Sequence, residues 1–295
     1  MITQTYRLEF LTPCFCAGAD QTVAEVRAPS IRGKLRWWFR VLGGRAAQEA
    51  EVFGSVRGDE GCSSPLVVRV REDALKTQWQ PIQFSGVSNT GYVLYFAKAA
   101  GDGRRWVAGG ALPVGSSFEL QLLWRRNPDQ AAKELFDLAL DSFLMLGSLG
   151  LRSTRGLGCF SCREKPYSEA EWNKLLGKIK AKAPGFLGEL ASFAGPETGI
   201  LDALGAQLRG LRQGYSAGRP GHSNPTPLGS SSHPRQTSAV YLRPVRESAN
   251  LYRLVVFEAP AEKILGRESR RGAPRLGNGV PPPGESPQGR RGFGR

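Results

Sequence analysis

A helix with two chemically different faces constrains the fold most, and the sequence predicts it at residues 30–42 of this 295-residue chain. At about 100° per residue, the large apolar side chains fall on one face, so the helix must pack against another layer. That face consists of Ile31, Leu35, Trp38, Phe39 and Leu42. We predict Ser30 as the N-cap, while Gly43 and Gly44 suit a left-handed stop.

The opposite face of this helix carries Arg32, Arg36 and Arg40, with Trp37 beside them. Like charges four residues apart repel one another and weaken an isolated helix. The stripe therefore either faces an anionic partner or is a solvated basic surface. We predict Trp38 as a core residue and leave two partners open for Trp37, a nucleobase or a neighbouring subunit.

The composition favours an anionic partner, because 40 Lys and Arg against 26 Asp and Glu leave a formal charge of +14. Such an excess is typical of proteins that bind nucleic acid or an anionic surface. The longest apolar runs are too short for a membrane span, and the first residues lack the pattern of a secretion signal. Five cysteines argue against a secreted disulfide scaffold, so we predict a cytoplasmic protein.

The order of predicted elements in the first 165 residues is strand, helix, strands, helix, strand. Strands are predicted at residues 6–11, 65–70, 91–97, 118–124 and 159–163. The second helix is predicted to begin at Asn127 and Pro128 and to run to about Leu146. This order predicts an α+β, ferredoxin-like (RRM-like) fold, an antiparallel sheet with two helices on one face.

The remaining sequence predicts a second α+β domain at residues 166–265, for which a second ferredoxin-like arrangement stays open. It contains helices at 169–183 and 199–211, a Gly-, Pro- and Ser-rich mobile loop at 214–236, and a hairpin at 239–245 and 251–258. Pro244 places the first hairpin strand at a sheet edge. Residues 266–295 form a basic Gly/Pro/Arg tail that we predict to be disordered.

A glycine-rich loop at residues 147–160 is the second candidate element for binding anions. Glycines let backbone amides turn toward an anion, and Arg152 and Arg155 add guanidinium groups beside them. Nucleotide-binding motifs run strand, loop, helix, whereas this loop runs helix, loop, strand. The alternatives are contact with a phosphate backbone and a simple flexible connector.

Four motifs together resemble the RAMP superfamily of CRISPR proteins. Within it they resemble the first-subunit family of the type III-B effector, the Cmr complex. They are Leu11–Thr12–Pro13, Arg27 with residues 30–40, Phe53–Gly54–Ser55 followed by the strand at 65–70, and residues 152–158. The resemblance covers roughly residues 1–165, is weak at 214–235 and is absent from the tail.

The resemblance implies a non-catalytic capping subunit of a CRISPR ribonucleoprotein in antiviral defence. Such a subunit holds guide RNA and the guide–target RNA duplex near the guide 3′ end. Its implied partners are guide RNA, target RNA, backbone subunits and a second capping subunit, with no membrane and no cofactor. The implied RNA-facing positions are Arg27, Arg32, Lys34, Arg36, Arg152 and Arg155. The residue pattern adds Trp37, Arg40, Ser153, Gly156 and Gly158 as candidates, and it places Lys34 nearer the apolar edge of the helix.

Two other classes of function stay open. A guide-RNA-processing endoribonuclease of the same superfamily would need a positioned general base. The two histidines, His222 and His233, both fall in the predicted mobile loop, and Asp20 is a single carboxylate, so we expect no catalytic residue and no enzyme. We interpret Asp137 and Asp141 as a solvated helix face. The third class is a subunit that mainly contacts other proteins.

Four cysteines lie where the first and last strands of the predicted core pair with each other. Cys14 and Cys16 follow the first strand, while Cys159 and Cys162 flank the last. Four thiolates could hold zinc, but successive strand positions alternate between faces, so the spacing fits such a site only partly. We expect buried free thiols and no metal.

Overall fold

The computed structural model describes residues 2–20, 23–57, 60–72, 88–97, 111–216, 227–229 and 237–260. In chain order the elements are β1 (Ile2–Phe10), α1 (Ala28–Val41), α2 (Ala46–Phe53), β2 (Ser55–Arg57), β3 (Glu60–Cys62), β4 (Leu66–Glu72), α3 (Asn89–Leu94), β5 (Ser117–Trp124), α4 (Gln130–Leu146), β6 (Phe160–Cys162), α5 (Glu169–Lys182), β7 (Leu187–Gly195), α6 (Ile200–Ser216), β8 (Val240–Ser248) and β9 (Leu251–Glu258).

The N-terminal half is built on a four-stranded sheet in the order β4–β5–β1–β6, with each neighbouring pair antiparallel. Alternate residues of β1 and β5 are buried, and the register pairs Leu8 with Phe118 and Tyr6 with Leu120 on the same face. Helices α1 and α4 pack against each other and contribute their apolar sides to this core. The predicted ferredoxin-like, α+β fold is confirmed.

Helix α1 begins earlier than its sequence pattern predicts. Arg27 occupies the N-cap position, so the prediction of Ser30 as N-cap is wrong. Pro29 explains the difference, because its restricted φ suits the first turn and its missing N–H would have no helical partner there. At the other end Gly43 adopts a left-handed φ of 97°, as predicted, whereas Gly44 does not have a positive φ.

The predicted strand at residues 91–97 is wrong, because this segment forms helix α3 followed by a 3-10 turn. Its β-branched and aromatic residues favour a strand when read locally. Ser88 instead caps a helix by accepting a hydrogen bond from the Gly91 amide at 2.9 Å. Helix α3 then packs closely on α6, where a Cβ at Gly205 would lie 2.1 Å from the carbonyl oxygen of Asn89.

Helix α4 begins later than predicted, at Gln130, because Asp129 and not Asn127 is the N-cap. The Asp129 carboxylate accepts from the Ala132 amide at 2.6 Å. An aspartate cap satisfies an unpaired amide of the first turn and places a negative charge at the positive end of the helix.

The C-terminal half contains a three-stranded antiparallel sheet in the order β7–β9–β8. The predicted hairpin is therefore confirmed, and β8, which contains Pro244, lies at the sheet edge as predicted. The sequence pattern missed β7 and helix α2.

One apolar cluster includes Trp38 and Phe136 of the first half with Phe186 and Phe257 of the second. The domain boundary near residue 165 stays a prediction.

Several predictions fall outside the described residues. They concern most of the loop at 214–236, with His222 and His233, and the tail at 266–295. Across the described ranges, none of the helices has the length and hydropathy that crossing a membrane requires.

Candidate nucleic-acid interface

Helix α1, the glycine-rich loop and strand β8 enclose an open groove of about 720 Å³, which we call the Lys34 groove. It brings together three predicted residues from two distant segments, Lys34, Trp37 and Ser153. The Lys34 ammonium donates to the Ser153 hydroxyl at 3.1 Å and so joins the helix to the loop. The polar residues that line the groove are Ser30, Lys34, Ser148, Ser153, Thr154, Thr237 and Arg243.

Arg243 is the residue of this groove that sequence reasoning missed. Its side chain is buried, with 3% of the residue exposed, and its Nε donates to the carbonyl oxygen of Leu146 at 2.6 Å. Its Nη1 donates to the carbonyl oxygens of Ser153 and Leu242. A single arginine within the otherwise apolar segment 239–245 was the available signal, because a buried guanidinium must find acceptors inside the fold.

Positive charge accumulates in the Lys34 groove without a matching carboxylate. Burial, with a smaller contribution from the charge of Arg243, lowers the pKa of Lys34 to about 8. Burial also lowers the pKa of Arg243. Among the described residues that line the groove, none is an aspartate, a glutamate or a histidine. The half-buried Lys34 and the buried Arg243 share a cavity and lack an acid partner in its described lining, which favours an anionic ligand.

Aromatic side chains form one wall of the groove. The half-buried Trp37 ring lies 5.0 Å from Trp38 and 5.1 Å from Tyr241, and Tyr241 in turn stacks on Phe257 at 4.8 Å. Trp38 is only 2% exposed, which confirms its predicted place in the core. Trp37 therefore packs against Tyr241 of its own chain, which is neither of the two partners that the sequence left open.

The glycines of the loop allow a close crossing of backbone segments. Gly156 and Gly158 have positive φ values of 83° and 63°, and both are buried. A Cβ at Gly158 would lie 2.0 Å from the carbonyl oxygen of Leu149. The Gly158 amide is engaged within the chain, because it donates to the carbonyl oxygen of Pro13 at 3.0 Å. Contact between RNA and the two glycines stays a prediction.

The arginine stripe of α1 is largely engaged within the protein. Arg36 and Arg40 both donate to the carboxylate of Glu49 on α2, with Arg40 in a two-pronged arrangement at 2.5 and 2.6 Å. Glu49 is buried, and the hydrogen bond from Arg40 lowers its pKa against the effect of burial. The anion that balances this end of the stripe is thus an internal residue.

Arg32 turns toward the sheet and donates to the carbonyl oxygens of Phe53 and of Leu66, the latter at 3.2 Å. Arg27 forms an exposed ion pair with Glu25 at 3.3 Å. Outward-facing surface remains on Arg27, Arg36 and Arg40, whose side chains are 48%, 40% and 60% exposed. Their contact with RNA stays a prediction.

The two loop arginines lie on the other side of the glycine-rich loop from the Lys34 groove. Arg152 adopts a φ of 56°, unusual for a residue with a side chain, and its guanidinium lies 5.6 Å from the Tyr95 ring centre. Burial, then the nearby charges of Arg152 and Arg212, lower the pKa of Arg155 to about 10. The loop therefore contributes to two surfaces.

The acidic residues singled out in the sequence form ordinary surface pairs. Asp137 accepts from Lys133 at 2.6 Å, and Asp141 accepts from Lys165 at 2.7 Å. Asp20 is exposed in the loop after β1.

The cysteines do not form a metal site in the described part of the chain. Cys14 and Cys16 bring their sulfurs within 3.4 Å of each other, and Cys14, Cys159 and Cys162 are buried free thiols. Over the described ranges, no group of three or more His, Cys, Asp or Glu residues is arranged to hold a metal ion.

The family model of the RAMP superfamily matches residues 7–161, which include the last four residues of β1, all of α1 and α4, and the whole glycine-rich loop. Two curated relatives come from Pyrococcus furiosus. CRISPR system Cmr subunit Cmr1-1 is 32% identical over 162 residues, which cover 53% of this chain and 44% of that subunit. Cmr subunit Cmr1-2 is 31% identical over 182 residues, which cover 54% of this chain and 94% of that subunit. The match thus spans less than half of the first relative.

Solved structures share the fold at lower identity. The crystal structure of Cmr1 from Pyrococcus furiosus in its apo form superposes with a TM-score of 0.56 at 21% identity, covering 88% of each chain. A chain of the cryo-EM structure of the Type III-B Cmr-beta complex bound to cognate target RNA gives a TM-score of 0.55 at 10% identity. The superposition covers 86% of this chain and 94% of that one. From its motifs, its sheet order and these matches, the chain belongs to the RAMP superfamily and is similar, within it, to Cmr1 subunits.

Proposed function

We propose that this chain is a non-catalytic, RNA-binding capping subunit of a type III-B CRISPR ribonucleoprotein. In this role it holds guide RNA and the guide–target RNA duplex near the 3′ end of the guide, beside backbone subunits and a second capping subunit. The similarity to Cmr1-1 and Cmr1-2 supports the assignment to a Cmr complex. The Lys34 groove supports the RNA contact.

The observation that carries the proposal is a pair of cations, the half-buried Lys34 and the buried Arg243, in a groove whose described lining includes no acid. In this proposal Lys34 contacts the ligand directly. Arg243 donates its hydrogen bonds to backbone carbonyl oxygens and contributes positive charge without contacting the ligand. An RNA phosphate near the Lys34 ammonium would gain a charge-assisted hydrogen bond, and the Ser153 hydroxyl can donate to a second oxygen.

This chemistry binds the RNA backbone and does not read the sequence. Lysine, serine and threonine contact phosphate and ribose equally well at any base, which suits a system in which base pairing supplies specificity. Arg27, Arg36 and Arg40 contribute peripheral phosphate contacts through their exposed surfaces in this proposal. Trp37 supplies a rigid wall that limits the width of the bound strand.

The described groove residues include no histidine and no carboxylate, which favours the non-catalytic role, and the proposal assigns Lys34 to phosphate binding and not to proton transfer. A metal-free ribonuclease positions a base against the ribose 2′-hydroxyl, most often histidine or a carboxylate. The rival endoribonuclease function predicts cleavage of repeat-containing RNA by the purified full chain alone. The proposal predicts intact RNA under the same conditions.

The binding test compares Lys34→Ala with Lys174→Ala in the full chain. Lys174 lies on α5, away from the groove, and its loss changes the net charge equally. We expect Lys34→Ala to weaken binding to an RNA duplex and to reduce the slope of log affinity against log salt by about one, because one phosphate contact is lost. Lys174→Ala should behave as the wild type. Equal effects of the two variants would contradict the groove as the RNA site and favour a subunit that mainly contacts proteins.

A further inference from the structure

A second cationic surface lies where α3, α6 and the glycine-rich loop meet. We call it the Arg–Tyr surface, and it consists of Tyr92, Tyr95, Arg152, Arg209 and Arg212. Helices α3 and α6 pack so closely at Gly205 that the two tyrosines have a rigid support. Adjacent residues of one loop serve both surfaces, since Ser153 lines the Lys34 groove and Arg152 reaches Tyr95.

Guanidinium groups and tyrosine rings alternate across this surface. Arg209 and Arg212 lie 5.0 and 5.4 Å from the centre of the Tyr92 ring, and Arg152 lies 5.6 Å from that of Tyr95. Arg209 is oriented by a hydrogen bond to the carbonyl oxygen of Ser88 at 3.1 Å. These contacts hold the cations at the ring faces, so that a bound anion would meet an already ordered array.

The Arg–Tyr surface as defined contains three arginines and no acidic residue. Arg155 lies beneath it, and the charges of Arg152 and Arg212 add to burial in lowering its pKa to about 10. Within the described residues, no ion pair with a carboxylate is found for Arg152, Arg155 or Arg212. Neighbouring cations destabilise one another's charged forms, so binding of an external anion would stabilise them most.

Exposed apolar surface distinguishes this array from a plain basic patch. Tyr95 is 41% exposed and the neighbouring Leu151 is 49% exposed. A duplex keeps its bases stacked inside and presents only phosphate and sugar, so it would leave these side chains unused. An unpaired nucleotide offers both a phosphate for arginine and a base face for tyrosine.

We propose that the Arg–Tyr surface binds a single-stranded RNA segment, with a nucleobase stacked on Tyr95 and the adjoining phosphates on Arg152 and Arg212. The proposal rests on the proposed function, because it extends the path of an RNA whose paired part occupies the Lys34 groove. The glycine-rich loop then separates paired from unpaired RNA.

The experiment measures binding of the full chain to two labelled RNAs, a blunt duplex and the same duplex with a single-stranded extension. We expect Tyr95→Ala to weaken binding of the extended RNA by about ten-fold and to leave the blunt duplex unchanged, since stacking is lost only where a base is free. Tyr95→Phe keeps the ring and should bind both RNAs as the wild type. Arg212→Ala should weaken the extended RNA selectively. Thermal melting confirms that each variant is folded.

Unchanged binding of the extended RNA by Tyr95→Ala would overturn the proposal, and so would an equal loss on both RNAs. An acidic peptide serves as a competitor without nucleobases. If it displaces the single-stranded extension as effectively as an RNA of equal charge, the proposed base stacking on Tyr95 is overturned. Lys34→Ala separates the two proposals. If it leaves the blunt duplex bound while Tyr95→Ala weakens the extended RNA, the groove proposal fails and the Arg–Tyr surface stands. The opposite pattern rejects the Arg–Tyr surface alone.

Discussion

The Lys34 ammonium lies 3.1 Å from the Ser153 hydroxyl, a contact between residues 119 positions apart in the chain. It links the basic helix to the glycine-rich loop, the two elements that the sequence singled out separately. The contact lies on the side of α1 away from the Arg36–Glu49 pair, so the helix turns different cations toward different surroundings. The proposed RNA site is therefore centred on Lys34 and not on the arginine stripe.

RNA binding should depend on pH through Lys34. Its pKa of about 8 lies below the usual value of about 10.4, so the side chain loses its charge as the pH rises through 8. We expect RNA affinity to fall between about pH 7 and about pH 9, with uptake of a proton on binding near pH 8, because phosphate favours the charged amine. Fluorescence anisotropy at constant ionic strength measures the profile.

Lys34→Arg is the matched control for this profile, since arginine stays charged throughout the range. Its RNA affinity should be nearly independent of pH. A wild-type profile that is equally flat would contradict the role given to Lys34.

Lys34 also affects stability in the absence of RNA. Between about pH 8 and about pH 10 its side chain is protonated in the unfolded chain but not in the folded one, so its contribution to the free energy of unfolding should rise with pH there.

Gly33→Ala should stabilise the protein and impair RNA binding. Gly33 lies inside α1 and lines the Lys34 groove, and an added Cβ would meet no protein atom within 4 Å. Alanine is favoured over glycine in a helix interior by about 1 kcal/mol, so the free energy of unfolding should rise by that order. The new methyl group would occupy the space through which an RNA backbone approaches the helix.

Gly177→Ala provides the comparison, because Gly177 also lies inside a helix, α5, with open space around its Cβ position. It should raise stability by a similar amount and leave RNA affinity unchanged. Urea denaturation and duplex binding, measured side by side, separate the two effects. If both glycine variants bind RNA as the wild type does, the prediction that the RNA backbone closely approaches Gly33 is wrong.

Arg243→Lys should destabilise the chain although it conserves charge. Arg243 connects the carbonyl oxygens of Leu146, Ser153 and Leu242, and a lysine cannot reach all three with one ammonium group. We expect a loss of about 1–3 kcal/mol in the free energy of unfolding. Arg246→Lys, on the same strand, keeps an ion pair with partly exposed Glu9 and should cost less than about 1 kcal/mol. Equal losses would show that Arg243 has no special structural role.

Glu49→Gln should lower stability and strengthen RNA binding. The buried carboxylate accepts from both Arg36 and Arg40, and its replacement weakens two charge-assisted hydrogen bonds at a cost of about 1–3 kcal/mol. It also removes a negative charge beside two proposed phosphate contacts. Because the pKa of Glu49 is lowered, the wild type should lose this contribution as the pH falls below about 4, whereas the variant should not.

Glu171→Gln on α5 makes the same charge change at an exposed pair with Lys174 and serves as the control. Its stability and its RNA affinity should stay close to those of the wild type. If Glu49→Gln raises RNA affinity no more than Glu171→Gln does, Arg36 and Arg40 serve the fold alone.

Local sequence patterns determined most of the first half of the fold. Alternation and helical spacing predicted β1, β4, β5, β6 and the two core helices, because each pattern reflects one face buried against a common core. The helical wheel also placed Lys34 near the apolar edge of α1, which is the edge that borders the groove. The strand prediction for segment 91–97 was wrong, because the Ser88 cap and packing on α6 outweigh the strand preference of its residues.

The sequence by itself determined that this chain carries a basic two-faced helix, an arginine-bearing glycine-rich loop and a ferredoxin-like core. Only the tertiary structure decided which cations form ion pairs within the protein and which line the Lys34 groove. Glu49 lies on a helix that no pattern predicted and neutralises part of the stripe, while Arg243 comes from a strand 90 residues beyond Ser153. The physical reason is that the charge of a residue is local to the sequence, whereas its burial, its partners and therefore its pKa depend on segments that meet only in the folded chain.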